Sequence, residues 1–325
     1  MRSFTTIAVI GAGTMGHSLA LLFARAGSQV TLVDLNQGIL DAALGKMAQS
    51  LKIFDRYEPT GESAQEVLCR ISTTTDTIAA VKNADKVLEV VVENADIKRS
   101  LYAMIAPHLK ADAVLCSNAS ALIPFDLAPE ELLPRMAMTH YFVPPHIIPL
   151  VEIVGNKKTD PDIPLSLKAY LEMAGMIPIV LSQYIPGLVV NRIQRAIFRE
   201  AYDLIGQGTI DAEQFDLAIK ASLGVRYPVQ AVLSNRDHAG IDSTLKVWKS
   251  QKMHLVDHED VPPVLEKLVS EGRLGVKTGK GFIDYGGKPP EEITRESEEN
   301  LLHLRQFMRK SGLLHISVPS RRVQD

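Results

Sequence analysis

Thr6-Ile7-Ala8-Val9-Ile10-Gly11-Ala12-Gly13-Thr14-Met15-Gly16 is the stretch from which the rest of the chain is read. It reads as a buried parallel strand running into a glycine turn. The run His17-Ser18-Leu19-Ala20-Leu21-Leu22-Phe23-Ala24-Arg25 has the composition of a helix, and Gln29-Val30-Thr31-Leu32-Val33-Asp34 is a second strand ending on an acid. Each glycine has a task. Gly11 allows the tight turn out of the strand, Gly13 lets backbone approach a pyrophosphate, and Gly16 lets the helix pack closely on the sheet. The helix N-terminus offers free N–H groups and a positive dipole end to phosphates. Thr14 and Met15 lie in the same turn and are counted with the glycines as dinucleotide contacts. Asp34 is placed to accept hydrogen bonds from ribose hydroxyls, and its charge repels a 2′-phosphate. No Arg or Lys follows in Leu35-Asn36-Gln37, so the expected cofactor is NAD rather than NADP. A glycine fingerprint alone is weak evidence; a strand before it, a helix after it and an acid at the right distance supply the confirming context.

The chain has 325 residues, 46% hydrophobic, and a formal net charge of −3. That length suggests two domains with room for a sizeable core, and the charge, with no long basic run, gives nucleic-acid binding no support. Two cysteines, Cys69 and Cys116, sit far apart in apolar settings; they read as reduced core residues of a cytoplasmic protein, not a disulfide or a metal site. No apolar run reaches membrane-spanning length, and the N-terminus enters a strand without a secretory signal pattern.

Further along, helical stretches are expected at Ile39–Lys52, Thr77–Asn83, Ile97–Pro107 and Leu165–Met173, with a polar turn segment at 54–63. Strands are expected at Ser72–Thr75, Lys86–Glu93, Ala113–Cys116, Arg135–His140, Leu150–Val154 and Pro178–Leu181. Strands alternating with helices predict a doubly wound, Rossmann-type α/β domain. The pattern changes at Pro186-Gly187. Val189, Ile193, Ile197, Ala201 and Leu204 recur at helical spacing, and further helices are expected at 212–222 and 262–271. The predicted organisation is an N-terminal domain over residues 1–185 and an all-α C-terminal domain over 186–325. The apolar face of the long first helix of that second domain is of a kind often covered by a second subunit.

Three features stand out chemically. His140 ends a strand on the side of the sheet where ligands gather. Glu152 interrupts an otherwise apolar strand. Asn191-Arg192 opens the long helix. A lone histidine is as readily structural as catalytic, and a lone acid as readily salt-bridged. As a pair they suit a general base, because a carboxylate on one imidazole nitrogen fixes the tautomer and raises the basicity of the other.

With these residues in view, the chain resembles the 3-hydroxyacyl-CoA dehydrogenase family, including its lambda-crystallin-like gulonate and carnitine dehydrogenase members. The resemblance runs roughly from Thr6 to Tyr285. Its landmarks are Gly11-Ala12-Gly13-Thr14-Met15-Gly16, Val92-Glu93-Asn94 with Lys98, Ser117-Asn118-Ala119-Ser120, His140-Tyr141-Phe142, Pro149-Leu150-Val151-Glu152, Gly187-Leu188-Val189-Val190-Asn191-Arg192 with Glu200-Ala201, and Lys277-Thr278-Gly279-Lys280-Gly281-Phe282. The resemblance implies His140 as catalytic base, Glu152 as its partner, and Ser120 and Asn191 on the substrate oxygen. Besides the glycines and Asp34, it places cofactor contacts on Glu93, Lys98, Ser120 and Lys277. The implied reaction is reversible hydride transfer between NAD and the secondary hydroxyl of a 3-hydroxyacyl-CoA, as in fatty acid metabolism, or of a free 3-hydroxy acid. The implied assembly is a homodimer.

Two departures matter. Where the family has Asn-Pro after its His-Phe-Phe, this chain has Val143-Pro144-Pro145, and Val143 cannot replace the hydrogen bonds of that Asn. Residues 228–238 replace a Gly-Pro-containing turn. Pro144-Pro145-His146-Ile147-Ile148-Pro149 resembles relatives acting on free carboxylic acids. His146 is expected in a loop with possible access to substrate, and His238 at the surface. Arg192, Arg195 and Arg199 share a helix face that could meet an anionic substrate; a solvated face is the plainer expectation for Arg195 and Arg199. Beyond Tyr285, Glu291–Lys310 reads as a charged amphipathic helix and the chain from Ser311 onward as a disordered tail. Two alternatives stay open: a non-catalytic, NAD-holding crystallin-like or sensing protein, and a 6-phosphogluconate-like β-hydroxyacid dehydrogenase. The second is disfavoured because the long helix has no Lys before Lys220.

Overall fold

The computed structural model describes residues 2–250, 255–257 and 260–315. Two compact units divide between Leu188 and Val189. Leu188 is fully buried in the core of the first, which is why that unit runs so far.

The first unit is one eight-stranded sheet in the order β3-β2-β1-β4-β5-β6-β7-β8. Its strands are β1 (Thr6–Ile10), β2 (Gln29–Val33), β3 (Ile71–Thr74), β4 (Lys86–Glu89), β5 (Val114–Ser117), β6 (Met136–Tyr141), β7 (Leu150–Gly155) and β8 (Ile177–Val180). All pairings are parallel except β6 with β7. That exception follows from chain length, since the short link 142–149 can only reverse direction, whereas a parallel return needs a crossover helix. The helices are α1 (Gly16–Arg25), α2 (Gln37–Tyr57), α3 (Ala64–Leu68), α4 (Thr77–Val81), α5 (Ala95–Ile105) and α6 (Asp162–Met173). The chain lays down β1, β2 and β3 outward, then returns to place β4 on the other side of β1. The crevice beyond the carboxyl ends of β1 and β4 is therefore the switch point at which such sheets receive ligands. The doubly wound fold class predicted from alternation is the one observed.

Several elements differ from their expected bounds. β4 stops at Glu89 rather than Glu93, because Val90 makes the last ladder bond, to the Ile10 carbonyl, and Val91 N–H turns back to the Glu89 side chain. Asn94 then caps α5 by accepting from the Asp96 and Ile97 N–H groups, so Val91–Glu93 leave the sheet although Val91 and Val92 are β-branched. α2 runs on to Tyr57, because Leu40, Ala43, Met47, Leu51 and Phe54 continue one buried stripe. Phe54 is covered by the Arg25 guanidinium, 3.7 Å above its ring, and by the edge of His146. His146 is thus a buried packing residue rather than an open loop residue. Cys69, expected in the core, is exposed at the end of α3, while Cys116 is buried in β5; both are free thiols.

Lys86, at the start of β4, is fully buried. Its ammonium lies 4.3 Å from the Phe23 ring centroid and 5.5 Å from that of Tyr170, and 3.5 Å from the Tyr141 hydroxyl. Burial pulls its pKa down to about 8, against an opposing contribution from Cys116.

The second unit is helical: α7 (Val190–Gly206), α8 (Ala212–Ile219), α9 (Val232–Ala239), α10 (Ile241–Ser250), α11 (Pro263–Ser270) and α12 (Pro290–Lys310). α9 and α10 were not anticipated. α9 carries Ser234-Asn235-Arg236-Asp237-His238 and buries no residue, so no apolar stripe marks it. Of the tail expected from Ser311 onward, residues 311–315 close α12 with turns, and residues 316–325 lie outside the described residues. No helix among the described residues is long and apolar enough to cross a membrane.

Candidate active site

The glycine turn is built as its sequence requires. Gly11 has φ +105°, and a Cβ there would meet the Val90 carbonyl oxygen at 2.8 Å. A Cβ on Gly16 would stand 1.7 Å from the Gly11 carbonyl oxygen, so Gly16 closes the turn on itself more than it admits the sheet. A Cβ on Gly13 would meet nothing within 4 Å; no protein atom demands glycine there, and the open space suits close approach of a ligand. Met15, at the N-cap of α1, contributes no side-chain cap, which leaves the first-turn N–H groups available to an anion. Thr14 is exposed beside it. His17 Nδ1 donates to the Gly13 carbonyl at 2.7 Å, bracing the turn; burial pushes this imidazole down, against the raising effect of that carbonyl. Asp34 accepts from Ala12 N–H at 2.9 Å and from Asn36 N–H at 3.1 Å. Its carboxylate is thereby fixed between the turn and α2, where ribose hydroxyls of a dinucleotide seated on the turn would lie. These residues fit a dinucleotide.

On the far side of β4, a buried carboxylate organises a second group. Glu89, fully buried, accepts from Lys98 Nζ at 2.6 Å and Val91 N–H at 2.9 Å through one oxygen, and from the Tyr102 and Ser117 hydroxyls, each at 2.6 Å, through the other. Burial and the charge of Glu89 both push the Tyr102 phenol well up, so it stays a donor. Lys98, 1% exposed, also lies 3.3 Å from Glu93. Glu93 in turn accepts the backbone N–H groups of Ser120, Ala121 and Leu122 at 3.1, 2.9 and 2.9 Å. Partial burial alone would raise the Glu93 carboxyl, but those N–H groups and Lys98 outweigh it and hold it below its ordinary value.

His140 and Glu152 are direct partners across β6 and β7. His140 Nδ1 is 2.9 Å from Glu152 Oε2, with His140 5% and Glu152 0% exposed. The Phe142 ring meets the imidazole at a centroid distance of 4.7 Å, edge to face. The Asn118 side-chain carbonyl accepts Tyr141 N–H at 2.9 Å, which ties the Ser117–Ser120 loop to the strand residue next to His140. Val143 is exposed.

The structure therefore brings Gly11, Gly13, Gly16, Asp34, Glu93, Lys98, Ser120, His140 and Glu152 together in one unit. Asn191 and Lys277 belong to the second. Asn191 is half-buried in the first turn of α7, and Lys277 is exposed in a tight turn at Val276–Thr278. That turn is glycine-dependent, since a Cβ on Gly281 would meet the Gly275 Cα at 2.8 Å. Phe282 after it stacks on Tyr202 of α7 at 5.6 Å. Arg192 and Arg195 are exposed and Arg199 is half-buried, less solvated than expected. Glu89, Tyr102 and the role of Asn118 are not among the residues that the sequence points to above. The signal for Glu89 was present: like Glu152, it interrupts an apolar strand, in Val87-Leu88-Glu89-Val90. Among the described residues no group of His, Cys, Asp or Glu could hold a metal ion.

Comparison with known proteins bears on this arrangement. The family profile "3-hydroxyacyl-CoA dehydrogenase, NAD binding domain" matches residues 6–184, and "3-hydroxyacyl-CoA dehydrogenase, C-terminal domain" matches residues 187–285. The chain is 30% identical over 303 residues to 5-formyl-3-hydroxy-2-methylpyridine 4-carboxylate 5-dehydrogenase of Mesorhizobium japonicum, covering 93% of this chain and 97% of that protein. A solved structure of a 5-dehydrogenase of that name, described as an NAD+ dependent dismutase, superposes with a TM-score of 0.85 at 28% identity, over 94% of this chain and 99% of that one. The (S)-3-hydroxybutyryl-CoA dehydrogenase of Ralstonia eutropha superposes with a TM-score of 0.69 at 28% identity, over 87% of this chain and all of that one. With the glycine turn, its acid and the matched profiles in agreement, the chain belongs to the 3-hydroxyacyl-CoA dehydrogenase family and is an NAD-dependent oxidoreductase of that family.

Proposed function

We propose that this chain catalyses reversible hydride transfer between NAD and the secondary hydroxyl of a 3-hydroxyacyl-CoA or a free 3-hydroxy acid, with His140 as base. The observation that carries this reading is the His140–Glu152 hydrogen bond at 2.9 Å on two facing strands. With Glu152 accepting from Nδ1–H, Nε2 is left as the acceptor for a substrate proton. Glu152 then stabilises the imidazolium that forms. Ser120, on the loop tied to Tyr141 through Asn118, and Asn191, on α7, hold the substrate oxygen. NAD, when bound, supplies the hydride acceptor. Gly11, Gly13, Thr14, Met15, Gly16 and Asp34 hold its adenosine and phosphate portion, and Glu93, with Lys98 behind it, Ser120 and Lys277 complete its contacts. In this reading residues 1–185 form the cofactor domain and 186–325 the substrate and subunit domain.

A free acid is the substrate class to assay first. The Mesorhizobium relative, by its name, acts on a pyridine carboxylate without CoA, and its namesake structure spans more of this chain than the hydroxybutyryl-CoA enzyme does. The stretch beyond residue 285 that holds α12 lies outside the matched C-terminal profile.

The working form is a homodimer. Among the described residues of the second unit, Ala201, Leu268 and Leu302 are the only buried apolar side chains, while Leu233 is 78% and Trp248 80% exposed. Helices α8, α9 and α10 bury nothing. An apolar surface this extensive calls for a partner, and a second copy supplies one with self-complementary symmetry.

A second reading, an NAD-holding protein without turnover, draws on Val143 in place of the hydrogen-bonding residue. A spectrophotometric screen of NADH formation against hydroxyacyl-CoAs, free hydroxy acids and aromatic carboxylates separates the two. Turnover of any hydroxy substrate is the expected result; NADH binding with no turnover across the panel contradicts the catalytic reading.

A further inference from the structure

We infer that Glu89 is a positioning residue that sets the loop Ser117–Leu122, and with it Ser120, in register with His140. This rests on the catalytic reading above for its consequence, though not for its geometry. The two ends of the loop are tied to Glu89 by independent routes. At the near end, Ser117 donates its hydroxyl to Glu89 at 2.6 Å and accepts Ala119 N–H at 3.2 Å, and Asn118 N–H donates to the Glu89 backbone carbonyl at 3.0 Å. At the far end, Lys98 links Glu89 at 2.6 Å to Glu93 at 3.3 Å, and Glu93 gathers the N–H groups of Ser120, Ala121 and Leu122. One acid also holds Val91 N–H, and so the segment whose Val90 carbonyl walls the glycine turn at Gly11.

The chemistry of the site explains why an acid stands there. Three successive N–H groups converge on Glu93, and a buried ammonium must sit beside it. Without Glu89, that ammonium would keep only a partly exposed partner, and the Ser117 and Tyr102 hydroxyls would lose their acceptor in a dry interior, where unpaired polar groups are costly. Four donors saturate the carboxylate, so the network has a single arrangement, and that rigidity is what positioning needs. A glutamine at 89 keeps the shape but removes the charge opposite Lys98, and with its NH2 toward the Tyr102 and Ser117 hydroxyls it reverses both of those bonds, so that Ser117 no longer donates to residue 89.

The test is hydrogen–deuterium exchange on the full chain, combined with steady-state kinetics. Glu89→Gln is expected to speed exchange in peptides covering residues 117–122 by on the order of tenfold or more, with residues 6–10 unchanged. It is expected to lower kcat by about 10²-fold with little change in substrate KM, the mark of lost alignment rather than lost binding. Lys98→Met, which cuts the far-end route alone, should lose no more than Glu89→Gln, and the double variant no more than Glu89→Gln alone. Tyr102→Phe, which removes one donor to Glu89 and no acceptor of a loop N–H, serves if Glu89→Gln fails to fold, and should loosen the loop in the same sense. Wild-type exchange at 117–122 in the altered protein, or single losses that multiply in the double variant, would overturn the inference. Loop loosening in Glu89→Gln, together with a wild-type chain that turns over no hydroxy substrate, would remove the catalytic reading and leave the positioning network standing.

Discussion

His140 and Glu152 occupy the same rung of the β6–β7 pair, so the hydrogen bond between them is a consequence of strand register and not of loop placement. The short antiparallel link makes that rung possible: it folds β7 back so that an acid twelve residues on, 152 − 140 = 12, returns beside the imidazole. A slip of one residue would turn the acid to the opposite face of the sheet.

Glu152→Gln should therefore separate geometry from charge. The amide fits the same space but allows the wrong imidazole tautomer and offers no charge to the imidazolium. A fall in kcat on the order of 10²–10⁴-fold is expected, with NADH affinity unchanged in a fluorescence titration. Retained kcat would show that the acid is structural only.

The glycine turn makes a contrasting pair of predictions. Gly13→Ala meets no protein atom, so melting should shift little, within about 0.5 kcal/mol, while NADH affinity drops. Gly16→Ala drives a methyl into the Gly11 carbonyl and should cost both stability and binding. Differential scanning fluorimetry with and without NADH reads both; an unchanged NADH affinity in Gly13→Ala would argue that Gly13 faces no ligand.

Lys86 gives the chain a pH dependence of known sign. Its pKa falls from 10.5 to about 8 on folding because burial disfavours the ammonium. The folded state thus releases its proton first. Below pH 8 the cost of the buried charge is fully present, and it is relieved as pH rises from 8 toward 10.5. Lys86→Met should be the more stable protein at pH 7, and its advantage over wild type should shrink by about 2–3 kcal/mol between pH 8 and pH 10. Urea unfolding of both proteins across that range measures it. The buried Tyr102, Tyr141 and Tyr170 phenols, all pushed up by burial, act against stability above pH 10 in both proteins and cancel in the difference. An advantage that grows with pH would refute the assignment.

The exposed apolar helices of the second unit predict that Trp248→Asp or Leu233→Asp yields a monomer in sedimentation velocity while wild type sediments as a dimer. A monomeric wild type would show that something other than a second copy covers this face.

Much of this was legible in the sequence, for identifiable reasons. The alternation of apolar runs and glycine turns gives the doubly wound sheet, and His140 and Glu152 stand out as polar residues in apolar strands. Glu89 carries the same signal but is masked by its place inside Lys86–Glu93, which reads as one uninterrupted strand; the side-chain bond to Val91 N–H shows where the strand ends. Phe54 reads as loop from the polar residues around it, although its spacing from Leu51 continues the stripe of α2. Helix α9 leaves no trace, since a helix that buries nothing within its own chain has no reason to show an apolar period. The fate of Lys86, an ammonium among rings, depends on three residues far apart in sequence and has no local pattern at all.

The most direct test of the central claim compares wild type with His140→Ala, using NADH binding by fluorescence and NADH formation with the best hydroxy substrate of the screen. The account predicts unchanged NADH affinity and a loss of turnover on the order of 10²–10⁴-fold. Near-normal turnover in His140→Ala would contradict it.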